Sequence, residues 1–125
     1  MTARPARICL TAGLIILVAV MMAPPASAQQ ATALRGEMFL AGKTAIDPPP
    51  NEPKNSHAYV TITGPAALRM YRAMRAKDED NVCEPGKRIK RAGPLACSIG
   101  ANGRDASCDF SVDLIKGQLN DGRPC

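Results

Sequence analysis

A dipeptide near the end of the chain, Asn102-Gly103, places the strongest constraint on how these 125 residues can fold. It lies between two alternating, largely apolar runs over 95–100 and 105–114. Asn-Gly in that setting predicts a β-hairpin with a two-residue type I′ turn, because that turn needs positive φ at both residues and Asn and Gly adopt it most readily. The resulting register places Cys97 opposite Cys108. One buried face would then hold the pairs Leu95–Phe110, Cys97–Cys108 and Ile99–Ala106, followed by Val112 and Leu114.

The opposite face of the same hairpin carries Asp109, Ser111 and Asp113. Because these side chains are polar, we expect this face to point into solvent. Two carboxylates on one face could perform acid–base chemistry or bind calcium. However, the same register makes Lys90 the diagonal neighbour of Asp113, and a solvated charge pair is the simpler explanation.

The first 28 residues have the pattern of a cleavable secretory signal peptide. Arg4 and Arg7 form a basic start, an uncharged apolar run follows over 8–23, and Pro24-Pro25 breaks any helix. Ala26-Ser27-Ala28 offers the small residues that signal peptidase reads, so cleavage is expected after this segment. A retained membrane anchor is the alternative, but the run is shorter than the roughly 18 residues of a spanning helix. We therefore expect an exported protein, periplasmic or extracellular, with no stable membrane insertion after cleavage.

Removal of this leader takes Cys9 with it and leaves four cysteines, all within 83–125. An even number in a small exported domain predicts two disulfide bonds. The hairpin register favours the nested pairing, in which Cys97 bonds to Cys108 and Cys83 bonds to Cys125. The sequential pairing, Cys83 with Cys97 and Cys108 with Cys125, is the alternative and needs the chain to fold back near Gly93-Pro94.

Two strands and a Pro-rich loop are predicted before this four-cysteine region. The apolar segment 37–41 lies between glycines and is typical of a strand. Residues 47–54 form an extended loop, because their prolines lack N–H groups. Alternating β-branched residues over 58–63 predict a second strand. In that strand Ala58, Val60 and Ile62 would face the core, and Tyr59, Thr61 and Thr63 would face outward.

A helix is predicted to begin at Gly64-Pro65, because proline suits the first helical turn. Strong helix formers continue to 76, and Lys77 suits a helix C-terminus. The apolar stripe of this helix consists of Ala67, Met70, Tyr71 and Met74. Together these elements predict one small α+β domain over 29–125, in which one helix packs on a mainly antiparallel sheet of about four strands, stapled by disulfides.

Candidate chemical groups are few in this sequence. His57 is the only histidine, and Ser56 precedes it. Adjacent residues of a strand point to opposite faces, so we expect that Ser56 does not contact His57. The cysteine spacing contains no C-x-x-C motif, which argues against a zinc site or a thiol redox centre. We therefore predict no catalytic residue, metal or cofactor, and no enzymatic activity.

The basic residues give the only functional lead. Residues 29–125 contain 14 basic and 11 acidic residues, and this net charge of +3 is low for a nucleic-acid-binding domain. If the helix packs over the sheet edge, its arginines and the basic residues that follow the helix form one patch. That patch consists of Arg69, Arg72, Arg75, Lys77, Lys87, Arg88, Lys90 and Arg91.

Two classes of function are compatible with these patterns. The favoured one is a non-catalytic binding or inhibitor protein of the cell envelope, whose partner is another exported protein or an anionic envelope component. The alternative is a small exported hydrolase or redox enzyme, which would depend on His57 or on a free thiol.

Overall fold

Seven strands and one helix make up the part of the protein that the computed structural model describes, residues 31–123. The elements are β1 (Arg35–Ala41), β2 (His57–Thr63), α1 (Gly64–Ala73), β3 (Glu79–Asp80), β4 (Arg88–Ala92), β5 (Leu95–Ile99), β6 (Ala106–Asp113) and β7 (Gln118–Asn120). The chain divides into the units Met1–Ala31 and Thr32–Cys125, and all of these elements belong to the second unit. The predicted signal peptide over 1–28, Cys9 and Cys125 lie outside the described residues. Within residues 31–123 no helix is long and apolar enough to cross a membrane.

The strands form one antiparallel sheet with α1 packed on one face, which confirms the predicted α+β class. The strand order is β1-β2-β6-β5-β4-β3, and β7 pairs with β6 beyond the end of β5. As predicted, the Pro-rich residues 47–54 contain neither helix nor strand, but they are not extended throughout, because the Glu52 N–H donates to the Pro49 carbonyl at 3.0 Å in a turn. β2 and β6 are therefore neighbouring interior strands, and their side chains reach both faces of the sheet.

The sheet has seven strands rather than about four. The sequence predicts one interrupted run over 87–100, but the chain reverses at Gly93-Pro94 and pairs β4 with β5. Gly93 has a φ of 56°, a left-handed conformation that glycine adopts without strain. The remaining additions, β3 and β7, have two and three residues. Such short strands are too brief to produce an alternating pattern that the sequence could reveal.

The predicted register of the β5–β6 hairpin is confirmed. Cys97 pairs with Cys108, and Ile99 pairs with Ala106. Both cysteines and Ala106 are buried beneath α1. The buried face ends earlier than alternation predicts, because Leu114 lies beyond β6 and is 50% exposed.

The turn of this hairpin differs from the predicted type I′ turn. The Gly100 N–H donates to the Asp105 carbonyl at 2.8 Å, and the Gly103 N–H donates to the Gly100 carbonyl at 2.9 Å. The loop therefore has four residues, 101–104, and Asn102 does not have positive φ. Instead, Asn102 Oδ1 accepts the N–H groups of Arg104 and Asp105. A four-residue loop and a two-residue loop with the same centre give the same register, which explains why the pairing was predicted correctly.

The helix α1 presents its predicted apolar stripe to the sheet. Ala67 and Tyr71 are buried, and Met70 and Met74 pack against the same cluster. The small side chain of Ala67 allows α1 to approach the sheet closely. The Ala67 carbonyl oxygen lies 3.6 Å from Cys108 Sγ. The helix ends at Ala73, a few residues before the predicted end at Lys77.

Lys90 of β4 closes the C-terminal end of α1. Its Nζ donates to the carbonyl oxygens of Tyr71 at 3.3 Å and Met74 at 3.0 Å, and lies 4.8 Å from the Tyr71 ring centroid. These carbonyls have no partner within the helix, so an ammonium group both satisfies them and complements the helix dipole. The predicted pairing of Lys90 with Asp113 is therefore wrong, since Lys90 is held by α1.

The face of the sheet opposite α1 is not the solvated surface that alternation predicts. Tyr59, Ser111 and Asp113 are all buried, and Ser111 is only 1% exposed. The Tyr59 hydroxyl is within 3.2 Å of the Gly42 carbonyl oxygen and 2.8 Å of the Lys43 carbonyl oxygen. Chain segments on either side of β2 and β6 thus cover this polar face and form the walls of a cleft.

Candidate functional site

Ser56 and His57 are in contact at the start of β2. Ser56 Oγ lies 3.0 Å from His57 Nδ1, and both side chains are buried. The prediction that these two residues cannot meet is therefore wrong. The strand begins at His57, so Ser56 belongs to the preceding bend and the alternation of a strand does not apply to it.

The Ser56 hydroxyl has a second partner in the carbonyl oxygen of Pro53, to which it donates at 3.2 Å. A hydroxyl carries one proton, so while it donates to Pro53 it can only accept from His57 Nδ1–H. The backbone carbonyl of Ser56 also accepts the Leu114 N–H at 2.8 Å. Ser56 thus fixes the corner at which the chain enters the central strand β2.

Asp113 lies across the sheet from His57, as its direct partner in the β2–β6 pairing. His57 Nε2 is 3.9 Å from Asp113 Oδ2. Asp113 Oδ1 accepts the N–H groups of Ile115 at 2.9 Å and Lys116 at 3.0 Å. These hydrogen bonds, that of Lys116 first, and the neighbouring charges lower the pKa of Asp113 despite its burial. A buried carboxylate therefore remains ionised beside the only histidine.

An open cleft of about 730 Å³ lies above this pair. His57, Tyr59, Ser111 and Asp113 form part of its lining. One wall consists of Lys43, Thr44, Ala45 and Ile46, and the other includes Lys116, Gln118, Leu119, Asn120, Asp121 and Gly122. The lining therefore combines amino groups, carboxylates and exposed aliphatic side chains.

The two walls are held by specific hydrogen bonds. The Thr44 N–H donates to the Glu52 carboxylate, which ties the first wall to the Pro-rich loop and lowers the pKa of Glu52. The Ser111 hydroxyl donates to the Asp121 carbonyl at 2.7 Å and ties the second wall to β6. Gly122 allows this approach, because a Cβ there would lie 2.8 Å from the Asp109 backbone. In the described part of the chain every buried side-chain nitrogen and oxygen has a hydrogen-bond partner.

The disulfide prediction is confirmed for the hairpin. Cys97 and Cys108 are bonded to each other and completely buried. The sequential alternative is therefore wrong, because it requires each of them to bond elsewhere. Cys83 is also disulfide-bonded. Cys125, the partner that the nested pairing assigns to Cys83, lies outside the described residues.

The predicted basic patch is distributed over several environments. Lys77 lies 3.5 Å from Glu79, Lys87 lies 2.6 Å from Glu84, and Arg88 contacts Asp78 and Asp80. Lys90 is used by the helix C-terminus. Four arginines of the predicted patch are exposed: Arg69, Arg72, Arg75 and Arg91.

The exposed arginines do not share one surface. Lys90 and Cys97 are paired on the face that α1 covers, so the adjacent Arg91 points to the opposite face. Arg69 and Arg72 belong to α1, and Arg75 follows its end. The acidic residues that surround Arg88 neutralise the segment between the two groups. The structure thus brings the cleft residues together more closely than it does the predicted patch.

Sequence reasoning missed the cleft because its parts lie in four distant segments. Only the polar residues of β6 and the His57 position were visible as candidates. Among residues 31–123, no cluster of three or more His, Cys, Asp or Glu side chains is arranged to hold a metal ion. No family model, curated protein or solved structure matches the chain.

Proposed function

We propose that this protein is an exported, non-catalytic binding protein, and that the cleft above His57 and Asp113 receives a segment of another exported protein. The cleft itself carries this proposal. It is open and polar at its base, and exposed Ile46 and Leu119 lie among its wall residues. Such a mixture of apolar side chains and convergent polar groups is typical of a recognition site.

The lining favours a peptide over a simple anion. Lys43 and Lys116 supply positive charge, but Asp113 and Asp121 lie in the same cleft. A purely anionic ligand would meet these carboxylates as well as the amino groups. A polypeptide segment can present donors, acceptors and aliphatic groups in turn, and can satisfy both kinds of lining.

Export is proposed from the leader pattern and is supported by the disulfide chemistry. Cys97 and Cys108 form a disulfide bond in the core, and such bonds persist in oxidising compartments. Because this bond is completely buried under α1, a substrate cannot reach it for thiol exchange. It therefore supports a structural role, which fits a binding protein better than a redox enzyme.

Site-specific photo-crosslinking in the native host would test this proposal. A photoreactive residue at Lys116 would report on the cleft, and one at Arg72 would report on the exposed side of α1. We expect a discrete protein adduct from position 116 and none from position 72. Ile46→Asp and Lys116→Glu should then each weaken binding of the purified partner, whereas Arg72→Glu should not.

Other outcomes would contradict the proposal in distinct ways. Adducts only from position 72, together with salt-sensitive binding to lipopolysaccharide vesicles, would assign function to the arginines and an anionic envelope component. The absence of adducts from both positions would contradict the binding function. Thermal melting of each variant would confirm that the fold is retained.

A second candidate function, acyl hydrolysis, is favoured by the contacts among Ser56, His57 and Asp113. Ser56 Oγ would attack an acyl carbon and pass its proton to His57 Nδ1, while Asp113 faces Nε2. The bond from the acyl carbon to the leaving group would then break, His57 would protonate the leaving group, and water would hydrolyse the acyl-serine. The burial of Ser56 and its bond to Pro53 oppose this role. A fluorophosphonate probe distinguishes the candidates: covalent labelling that is lost in Ser56→Ala would support hydrolysis, and no labelling is expected for a binding protein.

A further inference from the structure

The two edges of the sheet differ in a way that suggests a partner for one of them. The edge strand β3 has only two residues, both acidic, and Arg88 contacts Asp80 there. The edge strand β1 has seven residues and pairs only with β2 among the described strands. A long strand with a free edge exposes unpaired N–H and C=O groups, which are a template for pairing with another strand.

The β1 edge also exposes apolar side chains. Met38 is 58% exposed, Leu40 is 50% exposed, and Leu34, which precedes β1, is 71% exposed. These residues share the face that α1 occupies, because Gly36 of β1 pairs with Ile62, a neighbour of the helix core. Among the described elements α1 packs mainly on β2, β5 and β6, and Met38 and Leu40 at this end of the face remain at least half exposed.

We propose that β1 pairs antiparallel with β1 of a second copy of this chain, about a two-fold axis at Gly36. When two copies of β1 pair about a two-fold axis, residues whose N–H and C=O groups point away from β2 must lie opposite each other. Five centres, Gly36 to Leu40, match at least three residues of β1 with the same strand of the second copy, and centring on Gly36 matches residues 35–37. The side chains of β1 favour the first of these centres.

Centring on Gly36 places Arg35 opposite Glu37 of the second copy, and the reverse pair is formed by symmetry. On the other face Leu34 lies opposite Met38 of the second copy. Centring on Glu37 would place two carboxylates opposite each other. Centring on Met38 would place the charged Glu37 opposite Phe39. Centring on Phe39 or Leu40 would pair no opposite charges within β1. Opposite charges stabilise a cross-strand pair and like charges destabilise it, so charge self-complementarity favours a second copy of this chain in the Gly36 register.

The surroundings of this edge are compatible with the proposed pairing. Gly36 carries no side chain at the axis, and a Cβ there would lie 1.9 Å from the Thr61 carbonyl oxygen. Glu37 lies 3.3 Å from Arg123 within its own chain. Both residues are exposed, so this carboxylate can accept Arg35 of the second copy while it keeps Arg123.

Sedimentation equilibrium of the purified protein and of charge variants would test the dimer. The wild type should self-associate as its concentration rises. Arg35→Glu and Glu37→Arg should each weaken dimerisation about tenfold or more, because each converts two attractive pairs into two repulsive ones. The double variant Arg35→Glu/Glu37→Arg should recover the affinity of the wild type.

Two controls separate the proposed register from other effects. Arg91→Glu makes the same change of charge on an exposed strand residue outside β1 and should leave dimerisation unchanged. Arg123→Gln removes the partner of Glu37 within the chain and should have a smaller effect than Arg35→Glu. Equal weakening by Arg91→Glu, or failure of the double variant to recover, would overturn the proposal. A wild type that remains monomeric at every concentration would also overturn it and would leave the edge to a different protein.

Discussion

Both faces of the sheet carry buried side chains on β6, but the two faces are built from different chemistry. The face beneath α1 contains Ala67, Tyr71 and the Cys97–Cys108 disulfide. The opposite face contains Ser111 and Asp113, which bond to backbone groups of the chain segments above them. One face is stabilised by apolar contact and a covalent bond, and the other by hydrogen bonds.

This difference explains why only one face carries a candidate site. Apolar contact between α1 and the sheet excludes water and leaves no polar group free to meet a ligand. The hydrogen-bonded face needs no such close cover, because its polar groups can be satisfied beside an open cleft. The apolar core that stabilises the domain and the proposed recognition cleft thus lie on opposite faces of the same sheet.

The largest effect on stability is expected from the covalent bond of the helix face. Replacing both cysteines in Cys97→Ala/Cys108→Ala should lower the free energy of unfolding by about 3 kcal/mol, because the unfolded chain regains the conformational freedom that the closed loop denied it. Urea denaturation measured by circular dichroism would determine this value. A loss below about 1 kcal/mol would show that packing of α1, rather than the disulfide, stabilises this face.

A smaller effect on the same face is expected at the end of α1. Lys90→Met keeps the aliphatic stem but removes the ammonium that meets the carbonyls of Tyr71 and Met74. We expect a loss of about 1 to 2 kcal/mol in urea denaturation, as for hydrogen bonds from charged donors that are partly exposed. Arg91→Met is the matched control and should change stability little. Equal losses in the two variants would contradict the capping role of Lys90.

The hydrogen-bonded face should respond to the loss of one hydroxyl. Ser111→Ala removes the bond to the Asp121 carbonyl and should cost about 1 kcal/mol. Amide hydrogen exchange should also quicken at residues 118–122, since that cleft wall loses its attachment. Thr63→Ala is a suitable control, because Thr63 makes no side-chain cap bond to α1. Unchanged exchange over 118–122 would mean that β7 alone holds the wall.

The smallest expected effect is present near neutral pH and is lost in acid. The folded protein lowers the pKa of Asp113 below its ordinary value of 3.8, chiefly through the Lys116 N–H, so the ionised group stabilises the fold. This contribution is complete above that ordinary value and is lost as pH falls through the lower pKa of the folded state. Asp113→Asn should therefore be less stable than the wild type near neutral pH, and the difference should shrink below about pH 4.

The control for this pH dependence is Asp47→Asn, since Asp47 has a φ of 55° in an exposed loop and asparagine tolerates that conformation. Its stability should follow that of the wild type across the titration. Parallel curves for Asp113→Asn and the wild type down to the lowest pH would contradict the assigned role of Asp113.

The register of the β5–β6 hairpin could be predicted from the sequence, although the turn that closes it could not. Alternation of apolar residues and the positions of Cys97 and Cys108 constrain the pairing independently of the turn type. The conformation of Asn102 depends on its bonds to Arg104 and Asp105, which exist only once the loop has four residues. Local pattern thus determined the pairing, and local hydrogen bonding determined the turn.

The candidate site was largely beyond prediction. Alternation states which residues share a face, so Ser111 and Asp113 were placed together correctly. It cannot state whether that face is covered, because the cover comes from segments around 42–46 and 118–122. The contact of Ser56 with His57 was missed for a different reason. The alternation argument treats Ser56 as part of a strand, whereas β2 begins at His57 and Ser56 lies in the preceding bend.

The sequence by itself determined the class of the fold, the stripe of α1 and the partner of Cys97. Each of these depends on periodicity or on residues a few positions apart, and can be predicted without knowing which distant segments meet. Only the tertiary structure decided that the polar face is buried, that Lys90 contacts the end of α1 and that β1 pairs with a single strand among the described residues. Those outcomes depend on which distant segments meet. Many contacts between different segments together determine this, and no single segment contains them.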